Sequence, residues 1–337
     1  VGREQRRALI EQIETHRQSR VICCVTSDRQ NAQGLIAKDF IPKFFEHLRD
    51  FESTQIDTFI FSLGGDTLAA FGLSRLLREF SQSVGALIPE KCHSGGTLFA
   101  LGANEVFMTR VATLSPFDPS VATPLNPMIE LQPGIRQTVA ISVESVAGFK
   151  ELVKEEWRLN DEGATAAFRI LAERVNPLAL GQAYRTRQQI EQLARTLLST
   201  HRRDERNIKI IVERLTRQLG SHDYLISRAE ARQLLGPQVL GDDKTLERSV
   251  WSLFQDFSSD MSLGQGYDPA IVINTARAGN QPLPARVLNK LAIIESRGGS
   301  DVWETQILLS PMQVATPQGP TEQPIQQVVY NGWRHYN

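Results

Sequence analysis

Ile56-Asp57-Thr58-Phe59-Ile60-Phe61-Ser62-Leu63-Gly64-Gly65-Asp66-Thr67 decides the fold. Seven residues of mostly apolar, β-favouring character run straight into two glycines, and an acid follows them. That order predicts a buried strand over Ile56–Ser62, a sharp reversal at Gly64-Gly65 and a helix over Thr67–Phe80 with Asp66 as its N-cap. The pattern then recurs. Val84–Ile88 is a second apolar run, closed by Pro89. A helix is expected from about Ser94 to Ala103, and Glu105–Met108 reads as another strand. Upstream, Val21–Val25 is one more buried strand, placed between a polar helix over residues 3–19 and an amphipathic helix over residues 38–49. Strand and helix alternating at this short spacing over residues 20–110 predict an α/β core.

Beyond that core the chain changes character twice. Pro116, Pro119, Pro124, Pro127 and Pro133 mark an irregular connection, followed by a short strand at Thr138–Ile141. Residues 142–235 read as helical, with Val146, Phe149, Val153 and Trp157 on one face. Ser227-x-x-Glu230 is a capping box, and Gly236-Pro237 is a stop. Ala270–Asn274, Lys290–Ser296 and Trp303–Ser310 read as short strands, and Ile325–Tyr330 as a last one. The expected organisation is therefore an N-terminal helix over 1–19, an α/β core over 20–141, a helical region over 142–240 and a small β-rich C-terminal appendage over 250–337.

Composition narrows the function classes. Lys and Arg total 37 against 38 Asp and Glu, a balance that argues against a general nucleic-acid binder. Cys23, Cys24 and Cys92 form no CxxC pair, which argues against a disulfide framework and against a zinc site. Adjacent Cys23 and Cys24 in an apolar run suit a reducing compartment. The remaining histidines, His16, His47, His201 and His335, show no ligand spacing, and neither a P-loop nor a dinucleotide fingerprint occurs. No metal and no cofactor is expected. No apolar stretch reaches 18 residues, so no spanning helix is expected, and no secretory signal is visible. The chain starts at Val1 rather than Met, which leaves room for a removed N-terminal segment that could associate with a membrane. The cytoplasm is the expected location.

Two turns could carry chemistry. Gly64 and Gly65 let the backbone reverse and leave N–H groups exposed, as an oxyanion site requires. A plain strand-to-helix turn would use the same residues. In Cys92-His93-Ser94-Gly95-Gly96-Thr97 the serine stands where a helix begins, with the N–H of Gly95 beside it. Ser94 fits a nucleophile and an ordinary N-cap equally, and both readings stay open on the residues alone.

Taken together, these motifs resemble a known family. Ile56–Ala70 (IDTFIFSLGGDTLAA), Ile88–Met108 (IPEKCHSGGTLFALGANEVFM) and Leu114–Val121 (LSPFDPSV) are similar to the serine dehydrogenase proteinase family. That family belongs to the ClpP/crotonase superfamily, with ClpP and signal peptide peptidase A. Asn176–Gly181 (NPLALG) and Ser221–Ile226 (SHDYLI) extend the likeness to about residues 20–240. The resemblance implies a ClpP/crotonase-like spiral of ββα units, a serine nucleophile at Ser94, oxyanion N–H groups at Gly65 and Gly95, and self-association into a homo-oligomer. Gly64, Gly96 and His93 would support the site. Leu63 stands where the family usually has Pro, and Gly95 where it usually has Ala; neither removes the chemistry.

The proton acceptor is less clear from the residues. Asp118 lies 24 positions after Ser94, close to where ClpP-like peptidases place their histidine. A carboxylate is a poor base for serine unless its pKa is raised, and a turn residue between prolines is the plainer reading. His222, in Ser221-His222-Asp223, is the second candidate, since imidazole matches the task. His93 is adjacent to Ser94 and is expected as a wall or hydrogen-bonding residue. Lys150 and Lys154 correspond to the region where signal peptide peptidase A uses a lysine, but they fit a solvated helix face. The expected activity is hydrolysis of a peptide or protein substrate through an acyl-enzyme. The alternatives are an inactive ClpP-fold scaffold or a crotonase-like acyl-CoA enzyme. The Ser-Gly-Gly-Thr placement favours the peptidase.

Overall fold

The computed structural model describes the chain apart from residues 1, 52, 118–119, 122, 133–134, 140, 203, 219–223, 317–318 and 337. The chain divides into two compact units: Val1–Leu114 with Ser227–Asn337, and Ser115–Ile226. Among the described residues no helix is long and apolar enough to cross a membrane.

The first unit is a mixed α/β fold around one seven-stranded sheet. Its strands are β1 (Arg20–Thr26), β2 (Gln55–Phe61), β3 (Ser83–Ile88), β4 (Glu105–Met108), β5 (Ala285–Ser296), β6 (Gly299–Thr316) and β7 (Gly319–Tyr336), in the spatial order β7-β6-β5-β1-β2-β3-β4. The strands β1 to β4 pair in parallel, with Cys23 opposite Phe59 and Phe59 opposite Leu87. All residues of β1, β2 and β3 after the first are buried. Parallel strands covered on both faces need such continuous apolar runs, which is why these segments were legible.

Four helices matter for the site: α1 (Arg3–Arg17), α2 (Phe40–Leu48), α3 (Thr67–Phe80) and α4 (Gly95–Leu101). Asp66 caps α3, accepting from the N–H groups of Leu68 and Ala69 at 2.8 and 3.2 Å. One face of the sheet meets the Lys244–Met261 helix, where Phe61 packs on Phe254 (5.0 Å between ring centres) and Phe59 on Phe257 (5.8 Å). Buried Arg6 on α1 ties this layer together. It donates to both carboxylate oxygens of Glu295 at 2.9 Å and to Asp256 and Asp260 at 3.0 Å. A buried guanidinium is tolerated only with partners of this kind.

Three expectations need correction. The strands expected after residue 250 are not a separate appendage: β5 pairs antiparallel with β1, Cys24 opposite Ile294, and β6 and β7 follow it in the same sheet. The free edge of β1 demands a partner, and sequence pattern does not say which strand supplies it. Ala270–Asn274 is helical, within Pro269–Ala278, because Asp268 accepts from Ala270 N–H at 2.8 Å and Pro269 occupies the first turn. A short apolar run is ambiguous by period, and the cap decides it.

In the second unit the expected helices occur at Val143–Glu151, Asp161–Arg174, Pro177–Ser199 and Glu205–Glu213. Trp157 leaves the face that it was expected to share with Val153. Leu152–Glu156 is a π-helical turn, whose wider spacing breaks the 3.6-residue phase; Val153 is buried while Trp157 is 56% exposed. The capping box at Ser227 and Glu230 is present in the first unit.

Candidate active site

The two glycine-bearing turns lie side by side. Ser62 N–H donates to Lys91 O and His93 N–H donates to Ser62 O, both at 2.9 Å, so the end of β2 is bonded to the segment that leads into Ser94. Inside the first turn Gly64 N–H donates to Ser62 Oγ at 3.0 Å, and Thr26 Oγ1 donates to the same oxygen at 2.9 Å. Gly64 has φ 110° and Gly65 φ 142°, both in the region that favours glycine. A Cβ on Gly64 would stand 2.8 Å from the Ser94 Cβ, 2.9 Å from His93 O and 3.0 Å from Gly95 N. The missing side chain is what lets Ser94 approach.

Gly65 also has a defined direction. Ile36 N–H donates to Gly64 O, and Asp66 N–H donates to Ile36 O, both at 2.8 Å. Those two groups point to the Ile36 side. Backbone groups of successive extended residues alternate, so the N–H and C=O of Gly65 point to the other side. That side is where Gly95 lies: a Cβ on Gly95 would be 3.3 Å from Gly65 N and 3.4 Å from Gly65 O. Among the described residues neither Gly65 N–H nor Gly95 N–H has an acceptor. Two unspent donors at adjoining turns are what an oxyanion hole needs.

Ser94 has φ 48° and ψ −113°, and its side chain makes no capping hydrogen bond to α4. The N-cap reading therefore fails, and the strained backbone needs another reason. Strain of this sort marks a serine held at a sharp strand-to-helix bend. Two bonds close the turn: Gly96 N–H donates to His93 O at 2.7 Å and Thr97 Oγ1 to Cys92 O at 2.9 Å. Ser94 is half-buried, so it is not sealed in the core. Gly96 has its own steric reason, since a Cβ there would meet Cys92 Sγ at 3.1 Å.

His93 is hydrogen-bonded through Nε2 to Thr113 Oγ1 at 2.8 Å, as a wall residue would be. Asp118 and His222 both lie outside the described residues. Lys150 and Lys154, in the second unit, are exposed. The three cysteines are buried free thiols; burial pushes Cys24 up to about 12 and Cys92 higher still, so neither is a nucleophile near neutral pH. Among the described residues no cluster of His, Cys, Asp and Glu could hold a metal ion. Sequence reasoning missed Ile36 and Thr113. Neither carries a local signal, because each acts through a partner distant in the chain.

Residues 2–132 match the family model of the ClpP-like SDH-type serine proteinase. That model is of the family which the motifs resemble. An uncharacterized protein of Methanocaldococcus jannaschii is 36% identical over 70 residues, 21% of this chain. The chain spans about a quarter (24%) of the length of that relative. Among solved structures, a mutant of the 1510-N membrane-bound stomatin-specific protease in complex with a substrate peptide is 14% identical. It covers 67% of this chain and 77% of its own, with a TM-score of 0.38. A mutant of ClpP1 from Listeria monocytogenes is 13% identical and covers 69% of this chain and 98% of its own, with a TM-score of 0.36.

Proposed function

We propose that the chain is a serine peptidase that cleaves peptide bonds through an acyl-enzyme on Ser94. The observation that carries this is the contact between the two turns: Gly64 leaves no room for a side chain beside the Ser94 Cβ, and the Gly65 N–H is directed to the same side as Gly95. In this reading the Ser94 hydroxyl attacks the substrate carbonyl and its proton passes to a base. The carbonyl oxygen gains charge while the N–H groups of Gly65 and Gly95 donate to it. The base then protonates the departing amine, and water releases the acyl group by the reverse steps. Loss of one such donor elsewhere costs about 2.7–4 kcal/mol in the barrier. His222 and Asp118 are the candidate bases. Self-association is supported by the second unit, where Trp157, Phe168, Ile170, Leu178 and Tyr184 are each more than half exposed.

A fluorophosphonate probe tests the assignment. The unaltered chain should be labelled covalently, Ser94→Ala should not, and mass spectrometry should find the adduct on Ser94. Labelling of the alanine variant, or none of the unaltered chain, rejects the catalytic reading and leaves a scaffold. His222→Ala and Asp118→Asn then show which group accepts the proton, since loss of a general base lowers the rate by about 100- to 10,000-fold.

A further inference from the structure

The Gly65 turn has a second neighbour that the catalytic reading does not use. Across Ile36 from Gly65 lies a mainly apolar cavity of 200 Å³, bounded by Leu35, Ala37, Phe40, Leu291 and Trp303, with Gln33 and Asp39 as the polar residues of its wall. It is built by specific devices. β5 carries an extra residue between Lys290, opposite Glu304, and Ala292, opposite Trp303; the extra residue is Leu291. Bulges of this kind re-aim side chains, and they recur beside functional sites. Gly34 lies flat on the bulge, because a Cβ there would collide with the Leu291 carbonyl. Gly34 N–H donates to Ser27 O at 2.9 Å and Ser27 N–H to Leu291 O at 2.8 Å, which clamps the segment in place.

The aromatic wall is held rigid. Trp303 donates from Nε1 to Asn331 Oδ1 at 2.8 Å and packs edge-on against Trp333. Trp333 in turn donates to Asp39 Oδ2 at 2.7 Å and meets Phe40. A preformed wall binds without an ordering penalty. The mouth also presents a free backbone edge. Ile36 is paired with the Gly65 turn, yet the N–H and C=O of Leu35 make no hydrogen bond among the described residues, and Leu35 is 51% exposed.

We propose that this cavity is an exosite that takes one large apolar side chain of an extended polypeptide, whose backbone pairs with Leu35. The volume lies below the range of drug-sized pockets and suits a single side chain. An unpaired edge beside an apolar pocket is the arrangement by which extended peptides are read. The occupant we assign is a part of the substrate remote from the bond cleaved. That assignment rests on the peptidase reading above. A strand added at Leu35 would run roughly 10 Å from Gly65, two strand spacings of about 4.8 Å. Binding energy gained there reaches the oxyanion turn through the bonds that Ile36 makes to Gly64 and Asp66.

The test uses the full chain carrying Ser94→Ala and two fluorescein-labelled peptides of about a dozen residues. One has a single Phe among Ser, Thr and Gln, and the other has Ser in its place. The Phe peptide should bind at least tenfold more tightly, as burial of one large apolar side chain provides. Leu35→Asp, which charges the mouth, and Ala37→Trp, which fills it, should each erase that ratio. A ratio that survives in either variant with an unchanged unfolding midpoint overturns the exosite, as does the absence of any preference at the start. Fluorophosphonate labelling of the otherwise unaltered chain judges the peptidase reading separately. Labelled Ser94 without a Phe preference removes the exosite alone. A preference erased by both variants without any labelling overturns the substrate assignment, and makes a partner polypeptide the occupant.

Discussion

Replacing Ser94 by alanine and by glycine separates its chemistry from its backbone. Both variants lose the hydroxyl, so whatever the hydroxyl does is absent from the comparison between them. They differ in the Cβ, which at φ 48° and ψ −113° sits in a sparsely populated region. Such a conformation costs about 1–3 kcal/mol for a residue with a Cβ and little for glycine. Glycine loses about 0.4–1 kcal/mol through the greater freedom of the unfolded chain. Ser94→Gly should therefore be more stable than Ser94→Ala by about 1–2 kcal/mol. Urea unfolding followed by far-UV circular dichroism measures the difference, and each kcal/mol should raise Tm by about 2–4 °C in a chain of this size. Neither variant should react with a fluorophosphonate. A glycine variant equal to or less stable than the alanine variant would refute the claim that strain is stored at this bend.

Gly64→Ala should destabilise by about 2–5 kcal/mol, combining a Cβ at φ 110° with close contacts to His93 O and Gly95 N; its unfolding midpoint and its probe-labelling rate should fall together. Arg6→Met should cost about 3–5 kcal/mol, since it leaves Glu295 and Asp256 buried without their cation, and restoring charge balance with Glu295→Gln in the same chain should recover part of the loss in urea. Asp301 supplies an acid-sensitive contribution. Burial pushes its carboxyl up, but hydrogen bonds from His47 and Lys43 outweigh that and hold it down at about 2. In the unfolded chain an Asp titrates near 3.9. Its stabilisation, about 2 kcal/mol, is complete above roughly pH 4 and lost as pH falls towards 2. Asp301→Asn should remove that portion of the pH dependence of unfolding between pH 4 and 2, and an unchanged slope would count against the assignment.

Much of the site was legible because its signals are local. A run of apolar residues ending in Gly64-Gly65-Asp66 contains its own turn and its own cap, and both are formed by residues within a few positions of one another. The same holds for the Ser227 capping box and for the buried strands β1 to β3. The role of Ser94 was not legible in this way. Serine at a helix start serves equally as a cap, and only the dihedral angles and the missing capping bond speak against that second reading.

Sequence by itself determined the alternation of strand and helix, the placing of both glycine turns and the match of residues 2–132 to a ClpP-like serine proteinase model. Only the tertiary structure decided which strand completes the edge of β1, that Ile36 orients Gly65, and that an extra residue at Leu291 opens a cavity behind it. The reason is sequence separation. Turns, caps and burial periods are settled by neighbours along the chain. The contact of Gly34 with Leu291 joins residues far apart in sequence, and whether their backbones meet depends on how the whole sheet closes.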